Sequence, residues 1–171
     1  DALHEKNIKA IFQDQDSSIW IGTRADGLHR VKGETIHSLT TQDGMIQNGV
    51  TTIGASKGKI YVGSTTGISV IDQKSQKVIS TISKKDGIKS EHIQVIFEDS
   101  KGWLWILTRY GGMHYYDRES IFHTVALPST FDRTNIVSIL ELKNKQLVIG
   151  SQNTGIFWIE DGKFIKNQKL P

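Results

Sequence analysis

Two arginines, Arg24 and Arg109, are the residues whose type and spacing most readily suggest chemistry. Each stands directly after a threonine that ends a short apolar run, so the two positions are equivalent in the sequence. A guanidinium presents N–H donors in a planar fork that fits a carboxylate or a phosphate. Two such groups on one rim could bind an anionic ligand or a sugar acid, and the neighbouring Tyr110 could stack on a sugar ring.

Other polar residues follow or precede apolar runs in the same way, in loops that we expect to emerge on one face of the fold. Loops on a rigid scaffold are the usual place for recognition. The predicted ligand-binding set is Arg24, Asp26, His92, Arg109, Tyr110, Arg133, Gln152 and Asn153. The alternative is that these are solvated loop residues with no ligand, and the sequence leaves both interpretations open.

Catalytic and metal-binding patterns are not found. The sequence contains no nucleophile elbow, phosphate-cradling glycine loop or paired-carboxylate motif, and the Ser or Thr after each apolar run recurs as a repeat feature. His29 and His114 occupy equivalent positions beside apolar residues, which favours a structural role over a metal site. The acidic segment from Asp14 to Ser18 lacks the glycine and distal glutamate of a calcium loop, so we predict a hairpin turn. We therefore expect no catalytic residue, no metal and no cofactor.

A fourfold repeat of about 43 residues organises all these positions. One apolar segment recurs four times, and its Gly22, Gly63, Leu107 and Gly150 positions are separated by 41, 44 and 43 residues. A fixed period in this range marks a repeat architecture, in which neighbouring repeats bury one another's apolar faces. The recurring segments are Ile19–Thr23, Ile60–Ser64, Leu104–Thr108 and Leu147–Ser151.

Each repeat contains four strand-like runs bounded by turn residues. The first strands are predicted at Ile8–Phe12, Val50–Ile53, Ile93–Phe97 and Ile136–Leu140, and the recurring segments are the second. The third are predicted at Leu28–Val31, Ile68–Asp72, Met113–Asp117 and Ile156–Ile159, and the fourth at Ile36–Thr40, Val78–Ser83, Phe122–Ala126 and Phe164–Lys166. The second strands are apolar on both faces and the fourth are half polar, as in a propeller blade.

The sequence thus predicts an all-β fold, a β-propeller segment of four four-stranded antiparallel blades that forms part of a larger ring. The domain spans residues 1–171, with repeats at approximately 1–42, 43–85, 86–128 and 129–171. A β-sandwich could use strands of the same length, but it would not require one turn signature four times. Because both ends fall in the same loop of the repeat, we expect the four blades to come from a longer array.

The composition limits the classes of partner and the cellular compartments that we expect. The 21 basic and 18 acidic residues give a net charge of +3 with both signs scattered, so a nucleic-acid partner is not expected. There is no cysteine, which excludes disulfide and thiol chemistry and fits the cytoplasm or a disulfide-free periplasmic domain. No apolar run approaches the ~20 residues that span a bilayer. The chain opens with Asp1 rather than Met, and we expect that it continues upstream.

Several motifs resemble the regulator-propeller repeats of periplasmic sensor regions in bacterial two-component proteins. Repeat one carries them as Asn7–Asp14, Ile19–Thr23 and Asp26–Leu28, and repeat three as Ile93–Asp99, Leu104–Ile106 and Gly111–Met113. Repeats two and four depart from the pattern, because Tyr61 and Val148 replace the tryptophan. The resemblance covers essentially the whole chain and is strong in repeats one and three.

The resemblance implies a sensory role. It predicts the periplasmic, ligand-binding part of an inner-membrane receptor with a histidine-kinase or diguanylate-cyclase-type output, and rings of about seven blades. The expected partners are a sugar or anionic small molecule, and either neighbouring blades of the parent chain or a second copy. Contact with a membrane is expected only through the parent protein.

Two alternatives stay open. One is an interaction scaffold without a small ligand. The other is a propeller lyase, which would need a His–Glu centre. His92 with Glu91 is the one nearby pair in the sequence. Adjacent residues in a loop usually diverge, so this segment is predicted not to be an enzyme.

Overall fold

Sixteen strands form four sheets in this computed structural model, which describes residues 7–110, 112–117, 119, 121–129, 135–152 and 154–168. Each sheet takes four consecutive antiparallel strands in the order of the chain. We call the sheets blades one to four. Their strands are β1 Ile8–Gln13, β2 Ile19–Thr23, β3 Leu28–Lys32, β4 Thr35–Leu39; β5 Thr52–Ser56, β6 Lys59–Gly63, β7 Ile68–Asp72, β8 Lys77–Ile82; β9 Ile93–Glu98, β10 Leu104–Thr108, β11 Met113–Tyr116, β12 Phe122–Thr124; β13 Ile136–Glu141, β14 Leu147–Ser151, β15 Ile156–Glu160 and β16 Lys163–Gln168. The all-β fold and its four four-stranded antiparallel blades are confirmed.

The first strand of blade two starts later than predicted. The sequence placed it at Val50–Ile53, whereas β5 begins at Thr52. The N–H of Val50 donates to the carbonyl of Thr23 in blade one at 2.8 Å, so Val50 belongs to the contact between blades rather than to its own ladder. The fourth strand of blade three is also shorter than expected and ends at Thr124.

The first strands lie side by side: β1 packs beside β5, β5 beside β9 and β9 beside β13. The blades then pack face to face and bury an apolar cluster at each junction. Trp20 and Leu28 meet Ile60 and Ile71 between blades one and two, and Ile68 meets Leu104 between blades two and three. A third cluster, which includes Trp105, Leu107, Ile136 and Phe157, joins blades three and four.

Glycine permits close approach where one blade touches the next. A Cβ atom on Gly22 would lie closer to Cγ1 of Val50 than any real contact allows. Leu107 replaces this glycine in blade three and is fully buried in the third cluster, beside Met113 and Ile136.

Loops leave the strands at two faces. We call the upper face the one that carries the connections between blades and the turns between second and third strands of each blade. The lower face carries the turns between first and second strands and between third and fourth strands. Two short 3-10 turns, Thr41–Asp43 and Lys84–Asp86, open the connections that follow β4 and β8. Within the described ranges, no helix is long and apolar enough to cross a membrane.

Candidate functional site

Buried hydroxyls build the turns of the upper face. In blade one, the Thr23 hydroxyl donates to the carbonyl of Gly27 at 2.9 Å and accepts the N–H of Asp26 at 2.9 Å. Thr108 and Ser151 make the corresponding bond to a glycine carbonyl in blades three and four. Thr23 and Thr108 are fully buried. These hydroxyls are therefore structural, as predicted, and they present the two to three residues that come after them.

A recurring backbone bond ties each of these turns to the connection before the same blade. The N–H of Arg24 donates to the carbonyl of Asn7 at 2.9 Å, and that of Arg109 to the carbonyl of His92 at 2.8 Å. Gln152 repeats the bond to Asn135 at 3.0 Å. The upper face thus brings together the loops that carry Arg24, Asp26, His92, Arg109, Tyr110 and Gln152. The other predicted site residues, Arg133 and Asn153, lie outside the described residues.

Arg109, Tyr110 and His92 form a ledge on blade three. The Arg109 guanidinium carbon lies 5.2 Å from the centre of the Tyr110 ring. Tyr110 has a left-handed backbone (φ 72°) and a side chain that is 56% exposed. Burial, with a further contribution from the Arg109 charge, lowers the pKa of His92. The ledge therefore presents an aromatic ring, a cation and a neutral imidazole.

Arg24 lies in a separate cavity of about 380 Å³ that spans blades one to three. The cavity pairs Arg24 with Lys9 on β1, and Arg109 is not among its lining residues. The Gln47 side-chain oxygen accepts the N–H and the hydroxyl of Thr65, which orders the connection between blades one and two. The lining residues are Lys9, Arg24, Gln47, Gly49, Val50, Thr51, Thr65 and Gln94. Sequence reasoning missed Lys9, since it stands within a strand and not in a loop.

Amide side chains link blades three and four on the upper face. The Gln94 amide donates to Oδ1 of Asn135 at 3.0 Å, and the Asn135 amide in turn donates to Oε1 of Gln152. Gln152 is exposed, so this chain of amides leads from the Arg24 cavity, which Gln94 lines, to the surface of blade four.

The two equivalent histidines have structural surroundings. His114 is fully buried, and its Nε2 accepts the Lys89 N–H at 3.0 Å while its Nδ1 lies 3.0 Å from the Thr124 hydroxyl. Burial, aided by the nearby charge of Lys89, lowers the pKa of His114 to about 4. In blade one, Nδ1 of His29 lies 2.7 Å from the Ser38 hydroxyl. Among the described residues, no group of three or more His, Asp or Glu side chains could hold a metal ion.

The two residues considered for lyase chemistry are His92 and Glu91. The Glu91 carboxylate accepts the N–H of Lys84 at 3.3 Å, at the start of the connection between blades. The His92 carbonyl instead accepts the N–H of Arg109. The first bond engages the Glu91 side chain, and the second engages only the backbone of His92.

Blades one and three share an Asp–Trp hydrogen bond that closes the turn between their first two strands. In blade one, Asp14 Oδ2 accepts the Trp20 indole N–H at 2.8 Å, while Oδ1 accepts two backbone N–H groups. Asp99 binds the Trp105 indole at 2.9 Å in the same way. We call this bond the Asp–Trp staple. It shows that the segment at Asp14 is a hairpin turn, and blades two and four lack the residues for it.

The profile of the two component regulator propeller family matches residues 2–25 and 87–110, the segments that contain both staples. These segments are similar to regulator-propeller repeats. They fall in the two repeats whose motifs are strongest in the sequence. No curated protein matches the sequence.

Solved structures of low identity share the fold. The extracellular domain of the one component system BT4673 from B. thetaiotaomicron aligns with a TM-score of 0.80 and 16% identity, over 95% of this chain and 24% of that chain. The extracellular domain of the hybrid two component system BT3049 from the same organism aligns with a TM-score of 0.76 and 23% identity, over 90% of this chain and 21% of that chain. Virginiamycin B lyase from Staphylococcus aureus aligns with a TM-score of 0.75 and 17% identity, over 99% of this chain and 58% of that chain. The chain thus spans about a quarter or less of the two extracellular domains.

Proposed function

We propose that this chain is a sensing propeller segment from the periplasmic part of a two-component receptor, and that it binds a ligand without catalysis. Its regulator-propeller repeats and the fold that it shares with extracellular domains of one- and two-component systems support this proposal. The output domain, of histidine-kinase or diguanylate-cyclase type, would lie elsewhere in the parent protein.

The observation that carries the proposal is the ledge of Arg109, Tyr110 and His92. Tyr110 exposes its ring from a left-handed backbone, a conformation that costs energy for a residue other than glycine and that clusters at functional sites. The Tyr110 ring can stack on a sugar, and the Arg109 guanidinium beside it can bind the sugar's carboxylate or hydroxyl groups. The cavity at Lys9 and Arg24 offers a second cationic contact on the same face. A sugar or an anionic small molecule is therefore the proposed ligand class.

Signalling would arise from the way the upper face joins neighbouring blades. The Arg24 cavity is lined from blades one, two and three, so a ligand there would contact several blades at once. A ligand shifts an equilibrium only by its difference in affinity for two arrangements. The proposed mechanism is ligand-dependent packing of the blades or rings, which the parent receptor transmits across the inner membrane.

Binding to neutral and acidic oligosaccharides, measured by calorimetry, tests the proposal. Tyr110→Ala and Arg109→Gln should each weaken binding of a responding ligand about tenfold, since each removes a contact of roughly 1.4 kcal/mol. Lys143→Gln, at an exposed position on the lower face, is the control and should leave the affinity unchanged. Binding that withstands both ledge substitutions, or a panel that never binds, would refute a ligand site at the ledge.

One face of blade one carries exposed apolar side chains, which favours a second interaction, with another blade. Ile11 in β1 is 69% exposed and Ile36 in β4 is 40% exposed. The matching positions of blade two, Ile53 and Val78, pack against blade one. We propose that a further blade covers this face, either from the parent chain or from a second copy of this segment.

Lyase activity is not proposed, although the lyase shares the fold. A variant of the Staphylococcus aureus enzyme with one histidine replaced by alanine is catalytically inactive. In this chain, the Glu91 carboxylate accepts the backbone N–H of Lys84. The scaffold alternative shares the upper face. It predicts that ledge substitutions abolish capture of a protein partner while no small molecule changes the thermal stability.

A further inference from the structure

A pocket of about 190 Å³ opens on the lower face between blades two and three. Its residues include two phenol rings, Tyr61 and Tyr116, together with the aliphatic side chains of Val70, Ile82 and Leu104. The exposed side chains of Lys57, Lys59 and Ser80 stand at its mouth. The pocket lies at the opposite end of the strands from the ledge, so a ligand bound there would be independent of the proposed function.

The pocket exists because one row of side chains is smaller in blade two than in its neighbours. Cross-strand pairing places Tyr61 between Gly54 and Val70, with Ser80 beyond. The same row reads Phe12, Trp20, Arg30, His37 in blade one and Phe97, Trp105, Tyr115, His123 in blade three. Every residue in the blade-two row is smaller than its counterparts in both other blades.

Packing closes only one end of the gap that this row leaves. At Gly54, β9 moves in so closely that a Cβ atom would lie 2.5 Å from Cγ2 of Ile96. In blade three, stacked rings fill the corresponding space. The centre of the Tyr115 ring lies 4.7 Å from that of His123 in the same row and 4.6 Å from that of the neighbouring Trp103. Blade two has Val70 and Ser80 in place of Tyr115 and His123, so the space beside Tyr61 stays open.

Blade two has no Asp–Trp staple, and this absence helps to keep the pocket beside Tyr61 open. Tyr61 replaces the tryptophan, and Ser56 stands where blades one and three carry the aspartate. The Ser56 hydroxyl instead donates to Glu98 of blade three at 2.6 Å. The Tyr61 ring is therefore not fixed by the bond that fixes Trp20 and Trp105.

Two ammonium groups, those of Lys57 and Lys59, stand at the pocket and can attract an anion, and the Asp117 carboxylate also lines it. Lys57 Nζ lies 3.3 Å from the carbonyl of Asp117, so one ammonium reaches across the pocket from blade two to blade three. The Asp117 carboxylate is occupied elsewhere, since it accepts the N–H groups of Glu119 and Ile121 and lies 2.8 Å from Nε2 of His123.

Both phenols stay protonated around neutrality. Burial raises the pKa of Tyr61, and nearby Tyr116 and the Glu98 carboxylate add to the effect. Burial likewise raises the pKa of Tyr116, with a further contribution from Asp86. Each can therefore donate its O–H to an anion.

We propose that this pocket binds the carboxylate of a molecule built on a single six-membered ring. The volume fits, since a dry cavity of ~150 Å³ accepts benzene. The ring would lie between Tyr61, Tyr116 and the aliphatic wall, and its carboxylate would face Lys57 and Lys59. An aromatic acid and a sugar acid share this chemistry.

Binding of benzoate, glucuronate and acetate, followed by amide chemical shifts in NMR titrations, tests the assignment. At least one of the two ring acids should bind with shifts around Tyr61 and Tyr116, and acetate should bind at least tenfold more weakly. Tighter binding of benzoate identifies an aromatic-acid site, and tighter binding of glucuronate identifies a sugar-acid site.

Two variants test the geometry. Tyr61→Trp places in blade two the ring that blades one and three accept, and it should abolish binding by filling the pocket. Lys57→Gln with Lys59→Gln changes only exposed side chains and should weaken binding about tenfold. Lys85→Gln, in the 3-10 turn of the upper face, is the matched control and should have no effect. Failure of both ring acids to bind, equal binding of acetate, or full binding by Tyr61→Trp would overturn the assignment.

Discussion

His114 makes the stability of this chain depend on pH in a predictable direction. The imidazole is fully buried between the Lys89 N–H and the Thr124 hydroxyl, and its pKa falls from 6.5 to about 4. Because the Lys89 N–H donates to Nε2, the neutral ring is the form that the fold accepts. The unfolded chain takes up a proton near its ordinary pKa, while the folded chain does not until pH falls much further.

The two pKa values set the size of the effect. A lowered pKa in the folded state means that stability is fully present above pH 6.5 and is lost as pH falls toward 4. The shift corresponds to about 3 kcal/mol in total, of which about 2 kcal/mol is lost between pH 7 and pH 5. Carboxylates also change the stability between pH 7 and pH 5. Their contribution cancels when the parent is compared with a variant that lacks only His114.

Urea unfolding of the parent and of His114→Gln at pH 7 and pH 5 isolates the contribution. Glutamine does not titrate, and its side-chain oxygen can accept the Lys89 N–H, so its packing cost is the same at both pH values. The free-energy difference between the two proteins should therefore shrink by about 2 kcal/mol from pH 7 to pH 5. His37→Gln, on the exposed strand β4, controls for the loss of a surface imidazole.

A constant difference at the two pH values would refute this reasoning. It would mean that His114 takes up its proton equally well in both states, and that the buried acceptor role of Nε2 is wrong. A difference that grows at low pH would show that the folded state prefers the charged ring.

Three further perturbations test the packing. Asp99→Ala removes the acceptor of the buried Trp105 indole and should lower the free energy of unfolding by about 3 kcal/mol, measured by urea denaturation. Gly22→Ala forces a methyl group into Val50 and should cost about 2 kcal/mol in the same assay. If a second copy covers blade one, Ile11→Lys should shift the sedimentation coefficient of concentrated protein toward that of a 19.2 kDa monomer.

Each of these has a clear counter-result. A loss below about 0.5 kcal/mol for Asp99→Ala would show that the staple is replaceable. The same small loss for Gly22→Ala would mean that the blades can separate without cost. Parent protein that sediments as a monomer at high concentration would exclude the second copy and leave a blade of the parent chain as the proposed cover.

The strand order and the blade pattern could be predicted because each strand carries its own period and turn residues. Ile19–Thr23 was predicted with its observed bounds. The apolar pattern predicts Val50 in a strand, yet its N–H donates to the carbonyl of Thr23 in blade one, a contact that no local pattern encodes. Local sequence thus determines which residues can form strands, and contacts between blades determine where a strand begins.

The candidate site was predictable in part for the same reason. The turns that carry Arg24 and Arg109 follow from the repeat, but the pairing of Arg24 with Lys9 depends on three blades meeting at one cavity. The lower-face pocket depends on cross-strand register, because Tyr61 and Val70 leave space only when they are compared with the rows of other blades. Volumes summed across strands are not visible in one linear pattern.

The sequence of the complete native polypeptide, determined by intact mass and peptide mapping from the source cells, tests the central claim most directly. The sensor proposal predicts further propeller blades, then a membrane-spanning helix and a kinase or cyclase domain. A polypeptide that ends within one ring, with no membrane segment and no output domain, would contradict it and leave a free binding module.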